Sequence, residues 1–360
     1  MKRRIAALIL VLSSAGLLSA CKPGPVDPPF QRQMMTGPVD ISKLKMDEEH
    51  LYHRLGVTAL WSKTGGLDPQ GNPVVVAVIG SGVDYTNPDI RDSLWINSGE
   101  VGERAWASGW DNDGNGYADD VIGYDFYDGD PWPYDWHGHD TYTASLIASS
   151  GQSGSGVVGV APQAKLMVLR TIGGDGRGNA FDAYLAIRYA VDNGARIIYL
   201  NWPQGGYGPL ANLVHQGLEY AKTKNVLVVL PAGNDRNQGV GPLIDRPDLV
   251  QMENVIVVAG ATEDGRLTDS TNYGLERVSL AAPATESLGY FPRGEVAREA
   301  LSTSSVAAAY VTGAAALIAS LPGYGRADQI RDALLKKGER DPNLPVLSQS
   351  RLNLHSLAKQ

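Results

Sequence analysis

Three polar side chains stand in three separate segments, and their types suit one reaction. His139 lies near the start of the helix-like segment "GHDTYTASLIA", Asn234 ends the apolar segment "VVLPAGN", and Ser305 lies near the start of "TSSVAAAYVTGAAALI". A serine hydroxyl becomes a nucleophile when a base takes its proton, and imidazole suits that work because its unperturbed pKa lies near neutrality. An amide donor can stabilise charge that develops on a carbonyl oxygen. Brought together, these residue types would attack a carbonyl carbon.

The three segments resemble, in the same order, the motifs of the subtilisin-like serine proteases, and the resemblance covers roughly residues 50–358. "GHDTYTASLIA" looks like "GHGTHVAGIIA", "VVLPAGND" is similar to a strand ending in "AAGN", and "TSSVAAAYVTGAAALI" aligns without gaps on "GTSMAAPHVAGAAALL". The resemblance implies that His139 is the general base, that Asn234 donates to the oxyanion, and that Ser305 is the nucleophile.

The position of the third catalytic group carries no carboxylate. "VAVIGSGVDYTNPDI" aligns on a family motif like "VAVIDTGVDYTHPDL", which puts Gly80 where the family has its aspartate. That aspartate fixes the imidazole tautomer and stabilises the imidazolium. Its loss from subtilisin lowers turnover about 3 × 10⁴-fold, which corresponds to roughly 6 kcal/mol of barrier. A protease without this group would be nearly inactive.

Neighbouring groups are poor candidates to replace the missing aspartate. Asp140 follows His139 directly, and adjacent residues in a helix do not face one another. Asp84 lies beyond a turn, Asp135 lies before the histidine loop, and Ser81 offers only a hydroxyl. The sequence therefore favours no substitute.

The substrate cleft also departs from the family pattern. The segment that normally resembles "SLGG" is here "NWPQ", so that Asn201, Trp202 and Pro203 line the predicted cleft together with Gly233. Trp202 and Pro203 would narrow the primary pocket and remove flexible backbone that pairs with an extended substrate.

An acidic loop, "DNDGNGYADD" at residues 111–120, resembles calcium loops that precede the histidine motif in many secreted members of this family. Oxygen ligands at alternate positions followed by a glycine match the start of a cation loop, although the final glutamate of an EF-hand is absent. The alternative is an acidic turn rich in Asp-Gly and Asn-Gly. The candidate calcium ligands are Asp111, Asp113, Asn115, Asp119 and Asp120.

The elements that must position these residues alternate along the chain. Five near-continuous apolar runs rich in Val and Ile are typical of strands covered on both faces, and helix-like segments lie between them. This order predicts an α/β fold with a doubly wound, mainly parallel sheet flanked by helices, whose active groups gather at the carboxyl ends of the strands. The segment 304–321 is apolar all round and predicts a buried central helix.

The N-terminus indicates export. Residues 1–20 combine a basic start, an apolar run and small residues, as a signal peptide does, and "LSAC" resembles the lipobox of bacterial lipoproteins, in which Cys21 is acylated. Cleavage would remove Lys2, Arg3 and Arg4 and take the formal net charge from -8 to -11. An acidic surface argues against nucleic-acid binding. We expect a Pro-rich tether at 21–45, a domain at 46–360, and an outer-membrane location if the host is Gram-negative.

Two functions are open from the sequence. The first is a lipid-anchored pseudoprotease that binds peptides or proteins in the old cleft, with Ser305 as a small helix-start residue, His139 as a hydrogen-bonded remnant and Asn234 as a turn residue. The second is a serine endopeptidase or hydrolase with weak or altered activity through Ser305 and His139. Because the orienting carboxylate is missing at Gly80, the sequence favours the first.

Overall fold

The computed structural model describes residues 39–47, 49–101, 108–202, 210–236, 247–284, 287–299 and 303–359. Within these ranges no helix is both long and apolar enough to cross a membrane. The strands are β1 Val75–Gly80, β2 Gly123–Asp125, β3 Lys165–Arg170, β4 Ile197–Leu200, β5 Leu227–Pro231, β6 Val255–Ala261, β7 Leu280–Pro283, β8 Ser287–Phe291, β9 Glu295–Glu299, β10 Glu339–Arg340 and β11 Ser350–Arg351.

The helices flank a sheet of nine strands. They are α1 Glu49–Leu55, α2 Val57–Trp61, α3 Pro88–Arg91, α4 His139–Ala148, α5 Ala180–Asp192, α6 Ala211–Thr223, α7 Ser304–Ala319, α8 Ala327–Lys336 and α9 His355–Ala358. The strand order is β10-β11-β7-β6-β5-β4-β1-β3-β2, and every pair is parallel except β10 with β11. β8 and β9 form a separate antiparallel hairpin.

The central strand β1 shows why its sequence is apolar throughout. Val76 and Val78 belong to the core cluster that contains α4 and α7, whereas Ala77 and Ile79 belong to the cluster that contains α5 and α6. Successive side chains of a strand point to opposite faces, so a strand covered by helices on both faces needs apolar residues at every position. The predicted α/β fold with a mainly parallel sheet is confirmed.

Two helices carry the candidate catalytic residues into this core. In α4 every residue after His139 is buried, and in α7 every residue from Ser304 to Ile318 is buried. The helices pack closely, because a side chain at Gly313 of α7 would lie 3.1 Å from the Ile147 carbonyl oxygen of α4. The two helices are therefore packed tightly against each other in the core.

The hairpin of β8 and β9 was not predicted, because its two short strands carry no continuous apolar run. It is hydrogen-bonded to both α4 and α7. The Tyr142 hydroxyl of α4 donates to the Ser287 carbonyl at 2.8 Å, and the Tyr310 hydroxyl of α7 donates to the Ser287 hydroxyl at 2.6 Å. These two tyrosines are completely buried, so the hairpin is fixed relative to the site.

The end of the predicted tether lies on the domain. The Gln163 side chain donates to the Val39 carbonyl at 2.7 Å, and residues 41–43 form a short 3-10 helix. The rest of the predicted tether, the signal peptide and Cys21 lie outside the described residues.

Candidate active site

The histidine loop is held by a buried carboxylate. One oxygen of Asp135 accepts the backbone N–H groups of His137 and Gly138, at 2.9 and 2.7 Å, and the other accepts the N–H and hydroxyl of Thr141. Asp135 is fully buried, and burial raises the pKa of its carboxyl group. These four bonds fix the entry into α4, so that His139 begins the helix with 27% of its side chain exposed.

The residue after the histidine supplies a carboxylate to it. Asp140 Oδ1 lies 2.6 Å from His139 Nδ1, and Asp140 is fully buried. The expectation that adjacent helix residues cannot face one another is therefore wrong here. His139 and Asp140 are the first two residues of α4, and the first turn has no preceding turn to obstruct side chains that fold back. A carboxylate that the sequence did not favour thus contacts the candidate base.

The space at Gly80 explains how the carboxylate reaches this position. A Cβ atom at residue 80 would lie 1.9 Å from Asp140 Oδ2 and 3.1 Å from Asn201 Cβ. The carboxylate of Asp140 therefore fills the volume that a side chain on β1 would need. Position 80 carries glycine where the family has an aspartate. Because glycine has no side chain, the carboxylate of Asp140 from α4 has room there.

Hydrogen bonds from the residues that follow β1 and β4 hold this carboxylate. The Ser81 N–H donates to Asp140 Oδ2 at 2.7 Å, and the Ser81 hydroxyl accepts the Asp140 N–H at 3.1 Å. The Asn201 amide donates to Asp140 Oδ1 at 2.5 Å, and the Thr143 hydroxyl lies 3.5 Å from the same oxygen. Ser81 therefore serves the site in a way that its hydroxyl alone did not suggest.

The electrostatics of His139 follow from these carboxylates. Burial lowers the pKa of the imidazole, but the hydrogen bond and charge of Asp140, together with the charge of Asp135, outweigh burial and raise it. A carboxylate at Nδ1 stabilises the imidazolium and favours the tautomer that leaves Nε2 as the proton acceptor. This is the electrostatic arrangement that a general base needs.

The oxyanion side of the site is built at the start of α7. Asn234 Oδ1 accepts the Ser304 N–H at 2.9 Å, and the Ser304 hydroxyl accepts the Gly233 N–H at 2.9 Å. These bonds use the oxygen of the Asn234 side chain and leave its NH₂ group as a donor. Gly233 has φ 91°, a left-handed conformation that favours glycine, so its part in the site is played by the backbone.

Strand β4 connects the two halves of the site. The Tyr199 hydroxyl donates to the Ser305 carbonyl at 3.2 Å, and Asn201, two residues later, donates to Asp140. Ser305 is the second residue of α7 and is 8% exposed. The fold thus brings the predicted nucleophile, base and oxyanion donor to the carboxyl ends of the strands.

The predicted cleft residues separate in the structure. Asn201 is 4% exposed and turns its side chain to the carboxylate, where its amide contacts Asp140 and His139. Trp202 is half-buried and packs against the core cluster of α5 and α6. Pro203 lies outside the described residues.

Comparison with known proteins decides the family. The profile of the Subtilase family matches residues 71–350, which is most of the chain. The chain belongs to the subtilase family.

Relatives of this subtilase include named proteinases. It is 30% identical over 281 residues to the thermophilic serine proteinase of Bacillus sp. (strain AK1), covering 78% of this chain and 59% of that protein. It is 29% identical over 267 residues to thermitase of Thermoactinomyces vulgaris, covering 74% of this chain and 81% of thermitase. The match to subtilisin-like protease 1 of Plasmodium berghei covers 42% of that protein. The chain thus spans about half the length of several relatives.

Solved structures share the subtilase fold. A cold-adapted subtilisin-like serine proteinase has a TM-score of 0.61 at 18% identity, covering 81% of this chain and 90% of its own. The prenylagaramide maturation protease PagA has a TM-score of 0.58 at 24% identity, covering 83% and 94%. At these identities the likeness concerns the fold alone.

The acidic loop of this subtilase forms a different carboxylate cluster from the predicted one. Carboxylate oxygens of Glu100, Asp111 and Asp113 lie within 4.8 Å of one another, and Glu100 is fully buried. Asp111 also accepts backbone N–H groups, chiefly that of Gly116, which lower its pKa. Three carboxylates of this geometry fit a hard cation such as calcium. The sequence missed Glu100 because it precedes the loop by eleven residues and belongs to no recognisable spacing.

The other three predicted calcium ligands make hydrogen bonds outside the carboxylate cluster or at its edge. Asp119 accepts the backbone N–H groups of Ser108 and Gly109, each at 2.8 Å. Asp120 is fully buried, and burial raises its pKa while side chains of the neighbouring loop and of α5 donate to it. Asn115 bridges Asp113 and Asp120 through its NH₂ group. These three residues stabilise the loop and lie outside the carboxylate cluster.

Proposed function

We propose that this subtilase is a serine peptidase that acts through Ser305, His139, Asp140 and Asn234. The observation that carries the proposal is the 2.6 Å contact between Asp140 Oδ1 and His139 Nδ1. The alternative, a binding module without proteolysis, depended on the absence of a carboxylate beside His139. Asp140 supplies that carboxylate, so the main reason to prefer the binding module is gone.

Each residue has a separate part in the reaction. His139 Nε2 takes the proton of the Ser305 hydroxyl as its oxygen attacks the peptide carbonyl carbon. Asp140 stabilises the imidazolium, and the Asn234 amide donates to the oxygen that becomes negative. The imidazolium then gives its proton to the leaving amine, and water releases the acyl group by the same steps.

The proposal also includes a lipid anchor at the membrane and a bound calcium ion. "LSAC" supports acylation of Cys21, which would hold the peptidase at the envelope surface, where exported peptides and proteins would be its substrates. The cluster of Glu100, Asp111 and Asp113 supports bound calcium, which would neutralise three carboxylates and stiffen the acidic loop.

The proposal is tested by labelling the purified protein with a fluorophosphonate probe and by measuring turnover of a peptide library. We expect labelling and cleavage that are both lost in Ser305→Ala. Asp140→Asn keeps the side-chain shape and should lower turnover by roughly 10⁴-fold, because an amide cannot stabilise the imidazolium or hold the correct tautomer. Asp269→Asn, an exposed control, should retain wild-type turnover.

Two outcomes contradict the proposal. Wild-type protein that neither reacts with the probe nor cleaves any peptide would favour the binding module. Full activity of Asp140→Asn would show that the carboxylate beside His139 has no catalytic part.

A further inference from the structure

Asn201 follows directly on the carboxyl end of β4, and its side chain contacts both His139 and Asp140. Its Nδ2 donates to Asp140 Oδ1 at 2.5 Å and lies 3.2 Å from His139 Nδ1. Asp140 Oδ1 is also the oxygen that His139 contacts at 2.6 Å. One carboxylate oxygen therefore accepts from an amide and an imidazole at once.

Asp140 needs the contact with Asn201 because it comes from a helix and not from β1. An aspartate on β1 would be aimed by its own strand, whereas Asp140 projects from the first turn of a helix and must be aimed by its neighbours. Ser81 holds Oδ2 at 2.7 Å, and that bond alone lets the carboxylate rotate about it. The Asn201 amide holds the second oxygen, whereas Thr143 at 3.5 Å is too distant to hold it.

We propose that Asn201 is a positioning residue that holds Asp140 Oδ1 against His139. The inference rests on the proposed peptidase function. The amide keeps the carboxylate at the distance from which its charge stabilises the imidazolium. Asn201 therefore acts on His139 through the position of Asp140.

Other ionisable groups act on His139 or on its partners, and substitution of Asn201 removes none of them. Asp140 of α4 and Asp135 of the preceding loop raise the pKa of His139, and the His137 ring centroid lies 6.3 Å from that of the imidazole. Beyond them, the charge of Asp140 acts on Tyr199 of β4, and Asp84 accepts the backbone N–H of Arg293. Since the change leaves all of these groups in the protein, a shift in the pH profile can be assigned to the lost amide.

The test compares Asn201→Ala and Asn201→Leu with wild type in peptide hydrolysis, Leu being included because it fills the space if the Ala variant fails to fold. We expect kcat to fall about 10- to 100-fold, as for loss of one hydrogen bond to a charged group, with KM unchanged. The acidic limb of the kcat/KM profile should move to lower pH by about half a unit, because a displaced carboxylate stabilises the imidazolium less. Asn201→Ser, which keeps a shorter donor, should lose less.

The matched control is Asn254→Ala. Asn254 is also buried, and its amide donates to the Leu218 and Val226 carbonyls, far from the catalytic side chains. It should lower the melting temperature and leave kcat and the pH profile unchanged. If wild type is active and the folded Asn201 variants keep its kcat and its acidic limb, the positioning role is wrong and the peptidase function stands. If wild type itself is inactive, the function has failed.

Discussion

Replacing Gly80 with aspartate places the family's catalytic residue back on β1, and the structure predicts that this abolishes the proposed peptidase activity. The new Cβ atom would lie 1.9 Å from Asp140 Oδ2, although real Cβ contacts essentially never fall below 3.0 Å. Asp140 is fully buried and bonded to Ser81 and Asn201, so it has no free space to enter. The helix carboxylate must therefore leave the position in which it contacts His139.

The expected loss of kcat/KM follows from placing two negatively charged carboxylates in the same space. Carboxylates about 3 Å apart repel by roughly 5 kcal/mol at an effective dielectric constant of about 20. Relief requires protonation of one group or its displacement, and either change removes the ordered carboxylate from the imidazole. We expect Gly80→Asp to lower kcat/KM by about 10⁴-fold, the cost of losing the orienting carboxylate. Gly80→Asp combined with Asp140→Gly leaves one carboxylate in the same volume and should return activity to within about tenfold of wild type.

The assay measures kcat/KM on a cleaved peptide and the rate of fluorophosphonate labelling for wild type, both single variants and the double variant. Circular dichroism and melting temperature identify any variant that has failed to fold. Two results refute the reasoning: Gly80→Asp alone raises activity, or the folded double variant is no more active than Asp140→Gly. The first would mean that the two carboxylates do not share a space, and the second that the space cannot be filled from β1.

The remaining predictions concern pH, calcium and location. Asp140 and Asp135 raise the pKa of His139, and the base acts only when it is neutral. Activity should therefore fall as the pH drops through a midpoint above the ordinary histidine value of about 6.5. A midpoint below that value in the kcat/KM profile contradicts this prediction. A chelator should lower the melting temperature of wild type, and Asp113→Asn should reduce that response; no response to low micromolar free calcium counts against the site. Replacing Cys21 with alanine should move the protein from the membrane fraction to the soluble fraction, and unchanged fractionation refutes the lipid anchor.

Much of the fold was predictable because parallel strands covered on both faces need apolar residues at every position. The run at residues 74–79 corresponds to β1, and the apolar segment 304–321 to the buried helix α7. The short hairpin of β8 and β9 was not predictable, since β9 is largely exposed and two short strands outside the main sheet leave no such run. Its position depends on Tyr142 and Tyr310, whose hydroxyls meet at Ser287 only after folding.

The sequence by itself indicated the family, the parallel sheet and the candidate residues Ser305, His139 and Asn234, because these belong to contiguous motifs whose residue types follow one another in order. It also located the missing side chain at Gly80. Only the tertiary structure decided what that absence means. Whether Asp140 reaches His139 depends on the crossing of α4 over the end of β1, which leaves a space of one carboxylate at Gly80. Distances between separate elements are properties of packing, and no spacing along the chain records them.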